Sequence, residues 1–88
     1  MPTLDWNEFK NAINKRKHKI GFEAAERFDW DIADIEIDDR EDYGELRLKA
    51  TGLIGVVLHV LIYSERDDIT WVISLRKATK KERERHGR

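Results

Sequence analysis

Residues 56–63 read VVLHVLIY, seven apolar side chains interrupted only by His59. A strand turns alternate residues to opposite faces, so a run that is apolar at both parities belongs in the interior of a sheet. The run is far too short for a membrane span. A sheet with this segment at its centre is the frame into which the rest must fit. Upstream, Leu46, Leu48 and Ala50 alternate with Arg47, Lys49 and Thr51, a strand with one core face and one basic face. Gly52 and Gly55 mark the turn that follows. Downstream, a polar hairpin loop at 64–68 precedes Ile69, Trp71, Ile73 and Leu75, which alternate with Thr70, Val72, Ser74 and Arg76. A shorter edge strand is expected where Ile35 and Ile37 alternate with Asp34, Glu36 and Asp38, its acidic face discouraging edge-to-edge pairing.

Helical spacing appears at both ends. Asp5 and Glu8 fit a capping box, with Leu4 and Phe9 as its hydrophobic staple. Trp6, Phe9 and Ile13 then make one apolar stripe, flanked by Lys10, Asn14 and Lys17. This helix should end near 17–19, where basic residues suit the negative end of its dipole. Gly21 allows a turn, and Phe22, Ala25 and Phe28 predict a short second helix over 22–28, completing a helical hairpin. At the other end Thr79 and Glu82 form another capping box, opening a basic helix to about residue 85. Nothing apolar follows Ala78, so that helix should fray unless something covers it. The predicted class is α+β: an N-terminal helical hairpin, a four-stranded mainly antiparallel sheet and a C-terminal basic helix.

Composition removes several function classes. The chain has 88 residues, room for one domain over 1–88 with a modest core. It has no cysteine, which excludes disulfide scaffolds, thiolate zinc sites and thiol catalysis. The N-terminus lacks the basic-then-apolar pattern of a secretory signal, and the expectation is a soluble intracellular protein. His18, His59 and His86 lie in different elements, so no metal is expected. Neither a glycine-flanked nucleophile elbow nor a phosphate-cradling glycine loop is present. The formal charge of −1 conceals strong segregation: residues 1–22 carry +3, 23–45 carry −9 and 46–88 carry +5, and 3 − 9 + 5 = −1. Either this is ordinary solvated charge, or the two basic segments build a surface for a polyanion, provided the acidic segment faces elsewhere.

Pairing the central strands antiparallel brings Arg47, Lys49, His59, Ser74 and Arg76 toward one non-core face. Such a cluster suits phosphodiester chemistry, since arginine grips phosphate oxygens bidentately and fixed cations stabilise a pentacovalent transition state. A histidine or lysine can take the proton from an attacking 2′-hydroxyl or give one to the departing 5′-oxygen. His59 reads more simply as a half-buried strand histidine than as a catalytic group, and Arg47 and Arg76 read equally as salt-bridge partners of the acidic segment. Trp6 and Trp71 read as core anchors, and no stacking platform of exposed aromatics is evident.

The ordered segments resemble the BrnT family of bacterial type II toxins. Trp6, Asn7, Glu8, Lys10, Asn14, Lys17, His18, Phe22 and Ala25 follow a W-D-E-x-K-x-x-x-N-x-x-K-H-G-x-x-F-x-x-A pattern. The C-terminal part follows with Ile62, Tyr63, Ser64, Glu65, Arg66, then Val72, Ile73, Ser74, then Arg76, Lys77, Ala78, Thr79, and finally Glu82 and Arg83. Asn7 replaces the usual Asp, Lys19 replaces the Gly after Lys-His, and Asp68 sits where the hairpin often has Gly. The resemblance implies a compact RelE-like ribonuclease of the bacterial cytoplasm that inhibits translation without metal or cofactor. It implies Lys10, Lys17, His18 and Arg76 as catalytic candidates, and the basic residues Arg47, Lys49, Lys77, Lys80 and Lys81 are candidates for holding RNA, free or on the ribosome. It also implies a BrnA-like ribbon-helix-helix antitoxin, through which alone the chain would reach operator DNA. A rival reading is a non-catalytic toxin-fold module that binds the antitoxin and completes a repressor.

Overall fold

A computed structural model describes residues 2–87. It contains a five-stranded mixed sheet in the order β1-β5-β4-β3-β2, where β1 is Thr3–Asp5, β2 Asp34–Ile37, β3 Leu48–Ile54, β4 Val57–Arg66 and β5 Ile69–Lys77. The helices are α1 (Glu8–His18), a 3₁₀ helix (Phe22–Arg27) and α2 (Lys80–Arg85). The α+β class holds, but the sheet has one strand more than expected: β1 pairs parallel with β5. The doubly apolar run lies centrally, since β4 pairs antiparallel with both β3 and β5 and is buried from Leu58 to Ser64.

Register assigns the two faces. Leu48, Ala50, Leu61, Tyr63, Val72 and Leu75 face α1 and the 3₁₀ helix, forming the main core with Phe22, Ala25 and Phe28. The opposite parity places Leu58, Val60 and Ile62 beneath Ala78 in a smaller cluster. Gly52 belongs to β3 rather than to a turn: a Cβ there would lie 2.8 Å from the Phe28 ring, so only glycine permits this approach. The loop expected at 64–68 shrinks to Asp67 and Asp68, both at positive φ (49° and 67°), as a two-residue primed hairpin turn requires.

The N-terminal region departs most from expectation. Asn7, not Asp5, caps α1, its side chain accepting from the Lys10 amide. The apolar stripe is largely outward, with Phe9 75% and Ile13 37% exposed. The helix docks instead through Asn11 and Asn14. Asn11 Oδ1 accepts the Phe22 amide at 2.8 Å, while Asn14 Nδ2 donates to the Ile20 and Leu75 carbonyls at 2.9 and 2.8 Å. The second helix is a 3₁₀ turn, so the hairpin is α-to-3₁₀. Helix α2 is capped as expected, by the reciprocal Thr79–Glu82 box. It does not depend on an apolar stripe: buried Glu82 and a 3.6 Å contact between His86 and Asp34 tie it to the sheet.

Candidate active site

Backbone N–H and C=O groups of a strand point along the sheet plane, so Asn14 bonding to Leu75 sets α1 against the edge of β5 beyond the end of β1. From that edge the last turn of α1 reaches the sheet's second face. There Lys17 and His18 meet Arg47, Lys49, Ser74 and Arg76 around a cleft of about 490 Å³. The strand residues arrive by register: Lys49 and Ser74 both pair with Ile62, and Arg76 pairs with Val60 one step along.

Two expectations about this face change. His59 has the parity of Leu61 and Tyr63, pairs with Gly52 and Lys77, and is buried on the core side. Its Nδ1–H donates to the Val57 carbonyl at 2.9 Å, and burial lowers its pKa, so it is the strand histidine rather than a cleft group. The acidic segment does not face elsewhere: Glu36, Asp38 and Asp39 form part of the cleft wall. Much of that charge is matched locally, Asp38 by Arg40 at 2.7 and 2.8 Å and Glu36 by Lys49 at 3.7 Å.

At the cleft wall, Arg76 reaches out of the lining to grip Glu82 with two hydrogen bonds of 2.7 and 3.0 Å, and Lys49 Nζ lies 3.4 Å from the same carboxylate. Arg76 above all, helped by the Thr79 amide, holds the Glu82 carboxyl well below the usual carboxylate range. Burial, then the Lys17 and Arg76 charges, push the half-buried His18 below 6.5. A neutral imidazole beside fixed cations is suited to accepting a proton.

A second hollow of about 460 Å³ adjoins the first, sharing Arg47 and Ile73 with it. Lys10, Asn7, Arg66, Trp71 and Val72 complete its lining. Trp71 is thus not a core anchor; the Arg66 guanidinium lies 4.8 Å from its ring centroid, and Glu45 holds Arg66 at 2.9 and 3.2 Å. Arg47 stacks on Tyr43 at 3.7 Å and leaves its buried Nε without a hydrogen-bond partner. Lys77, Lys80 and Lys81 line neither hollow: Lys77 is exposed on the His59 side, Lys80 lies 4.0 Å from Glu84, and Lys81 is exposed. Among the described residues no three of His, Cys, Asp and Glu converge to hold a metal ion, and no helix is long and apolar enough to cross a membrane.

Residues 6–82 match the family described as "Ribonuclease toxin, BrnT, of type II toxin-antitoxin system". The chain belongs to the BrnT family. The matched stretch runs from Trp6 to Glu82 and so contains the basic lining of both hollows. Among solved structures, this BrnT-family chain is similar to the crystal structure of the Brucella abortus ribonuclease toxin BrnT. The TM-score is 0.68 at 25% identity, over 91% of this chain and 100% of that one. No curated protein sequence matches it.

Sequence reasoning missed three parts of this site. Glu82 was legible as a capping residue, but only the fold shows that the same carboxylate grips Arg76 and Lys49. Trp71 shares the parity of the non-core residues only because Ile73 is an extra residue at a bulge opposite Ile62 and Tyr63. Asn11 and Asn14 carried a signal in being poor helix formers at i and i+3 inside a helix.

Proposed function

We propose that this BrnT-family chain is an endoribonuclease toxin cutting RNA by internal 2′-hydroxyl attack without a metal. The observation that supports it is the convergence of Lys17, His18, Arg47 and Arg76 on one cleft, where His18 is kept neutral. In this reading Arg76 and Arg47 hold the scissile phosphate. His18 takes the 2′-hydroxyl proton as the O2′–P bond forms and the P–O5′ bond breaks, leaving a 2′,3′-cyclic phosphate. Lys17 stabilises charge on the phosphoryl oxygens and gives a proton to the departing 5′-oxygen. Lys10 and Trp71, in the adjoining hollow, receive the neighbouring nucleotide by ion pairing and stacking. Lys49, already shared between Glu36 and Glu82, acts more weakly, and Lys77, Lys80 and Lys81 attract RNA only at long range.

Translation then stops because RNA, free or on the ribosome, is cut. A BrnA-like antitoxin restores growth by covering the cleft and brings the complex to operator DNA. The test is induction in bacteria with RNA profiling, with Arg76→Ala and antitoxin co-expression alongside. Growth arrest with new 5′-hydroxyl ends is expected from the wild type, and from neither of the other two. Full toxicity from Arg76→Ala removes that residue from the site. The rival reading, a non-catalytic antitoxin-binding co-repressor, draws on the pairing of Arg76 and Lys49 with Glu82; it predicts neither arrest nor cleavage.

A further inference from the structure

A guanidinium offers two forks for a paired acceptor, an end fork of Nη1 and Nη2 and a side fork of Nε and Nη2. Glu82 occupies the end fork of Arg76, accepting from Nη1 at 2.7 Å and from Nη2 at 3.0 Å. Nη1 also donates to the Lys77 carbonyl at 3.3 Å. The Nε–H and the remaining Nη2–H have no acceptor among the described residues, while Arg76 lines the cleft. Glu82 is itself immobilised. Its Oε1 accepts the Thr79 amide at 2.8 Å, its Oε2 lies 3.4 Å from Lys49 Nζ, and it is 8% exposed.

We infer that Glu82 is a positioning residue: it locks the Arg76 guanidinium by its end fork so that the side fork is presented to a scissile phosphodiester in the cleft. The inference rests on the reading of Arg76 as a phosphate-gripping group. An unrestrained arginine samples many rotamers, whereas donors fixed in advance need no reorganisation when charge builds on the phosphoryl oxygens. The capped start of α2 supplies the fixed point, which gives this short helix a role beyond closing the sheet. Glu82 also neutralises Arg76 before substrate arrives. Ground-state attraction for RNA therefore falls to Arg47 and Lys17, and Arg76 contributes by orientation. The signature is specific: loss of the Glu82 charge lowers kcat without raising KM. A carboxylate that merely blocked the cleft would do the opposite.

The experiment measures kcat and KM on a single-stranded RNA oligonucleotide, with thermal melts, for wild type, Arg76→Ala, Glu82→Gln and Thr79→Ala. Glu82→Gln keeps an acceptor for the Thr79 amide but loses the charged fork that holds both Nη atoms. Its kcat should fall about tenfold or more with KM unchanged or lower. Thr79→Ala loosens the cap that fixes Glu82, lowers the melting temperature and should lower kcat less than Glu82→Gln does, because the carboxylate remains. A Glu82→Gln kcat at or above wild type, with Arg76→Ala inactive, overturns the positioning role and leaves the phosphate grip standing. Arg76→Ala cleaving like wild type overturns the grip itself. Where Glu82→Gln does not fold, the wild-type chain decides through the Arg76 Nε–H resonance, followed while a 2′-O-methyl RNA dinucleotide is added. A shift that saturates with binding supports the inference, and an unmoved resonance at saturation overturns it.

Discussion

Replacing Asn14 with alanine removes the polar peg that holds α1 to the sheet. The side chain is 6% exposed and makes three hydrogen bonds: Nδ2 to the Ile20 carbonyl at 2.9 Å, Nδ2 to the Leu75 carbonyl at 2.8 Å, and Oδ1 from the Leu75 amide at 3.3 Å. Ile20 is half-buried, so water can replace its partner. Leu75 is fully buried and faces a strand edge that β1 does not reach, so both its backbone groups are stranded. Each orphaned group costs about 1–3 kcal/mol, and alanine returns about 0.5 kcal/mol as the better helix former. The expected loss is about 2–5 kcal/mol, a large share of the roughly 5–15 kcal/mol typical of a domain. In urea, with a slope of about 1–3 kcal/mol per molar, the midpoint should drop by at least about 0.7 M. Amide exchange at Leu75 should accelerate in parallel. Asn14→Asp keeps the acceptor but turns a carboxylate toward two carbonyls, so it should cost at least as much. A change below about 1 kcal/mol for Asn14→Ala would show that packing, not this amide, docks the helix.

His18 is held below 6.5 by burial and by the Lys17 and Arg76 charges, so cleavage should be level near pH 7 and fall only below pH 6.5; Lys17→Gln should move that acid limb upward, and an inflection at or above 6.5 in the wild type refutes a neutral His18 base. Lys19 ends α1 in the left-handed region at φ 63°, the geometry expected of the family glycine, and strain there exceeds the entropic cost of glycine by about 0.5–1 kcal/mol. Lys19→Gly should therefore raise the melting temperature by about 2–8 °C; a lower one shows that the Lys19 side chain, which reaches the Arg16 carbonyl at 3.2 Å, matters more than the backbone.

What could be read from the sequence followed the range of the forces involved. Strands β3, β4 and β5 declare themselves because burial on one or both faces imposes a period of two. Residues Thr3 to Asp5 are too few to show any period, and Asp5 with Glu8 imitates a capping box although Asn7 actually caps the helix. The stripe of Phe9 and Ile13 misled because a helix seated at a strand edge meets backbone groups, and amides satisfy those better than apolar carbons do. Ser64, Glu65 and Arg66 look like a loop by polarity, yet β4 continues through them until two aspartates accept positive φ. Parity likewise decides His59, which shares a face with Leu61 and Tyr63.

The candidate site shows why charge counts along a chain say little about the charge a substrate meets. Segment 23–45 carries −9 and walls the cleft, yet Lys49 and Arg40 answer two of its carboxylates. Arg76 and Lys49, the cations that strand alternation singles out, share Glu82. Arg47, Lys17 and Lys10 have no carboxylate partner among the described residues, and they span both hollows. Of these three cations only Arg47 lies in both linings; its buried Nε has no acceptor among the described residues, and an orphaned buried donor is costly. On the proposed reading, the rim shared by the two hollows and lined by Arg47, rather than the basic stretch at 76–85, is where RNA meets positive charge that no carboxylate has already answered.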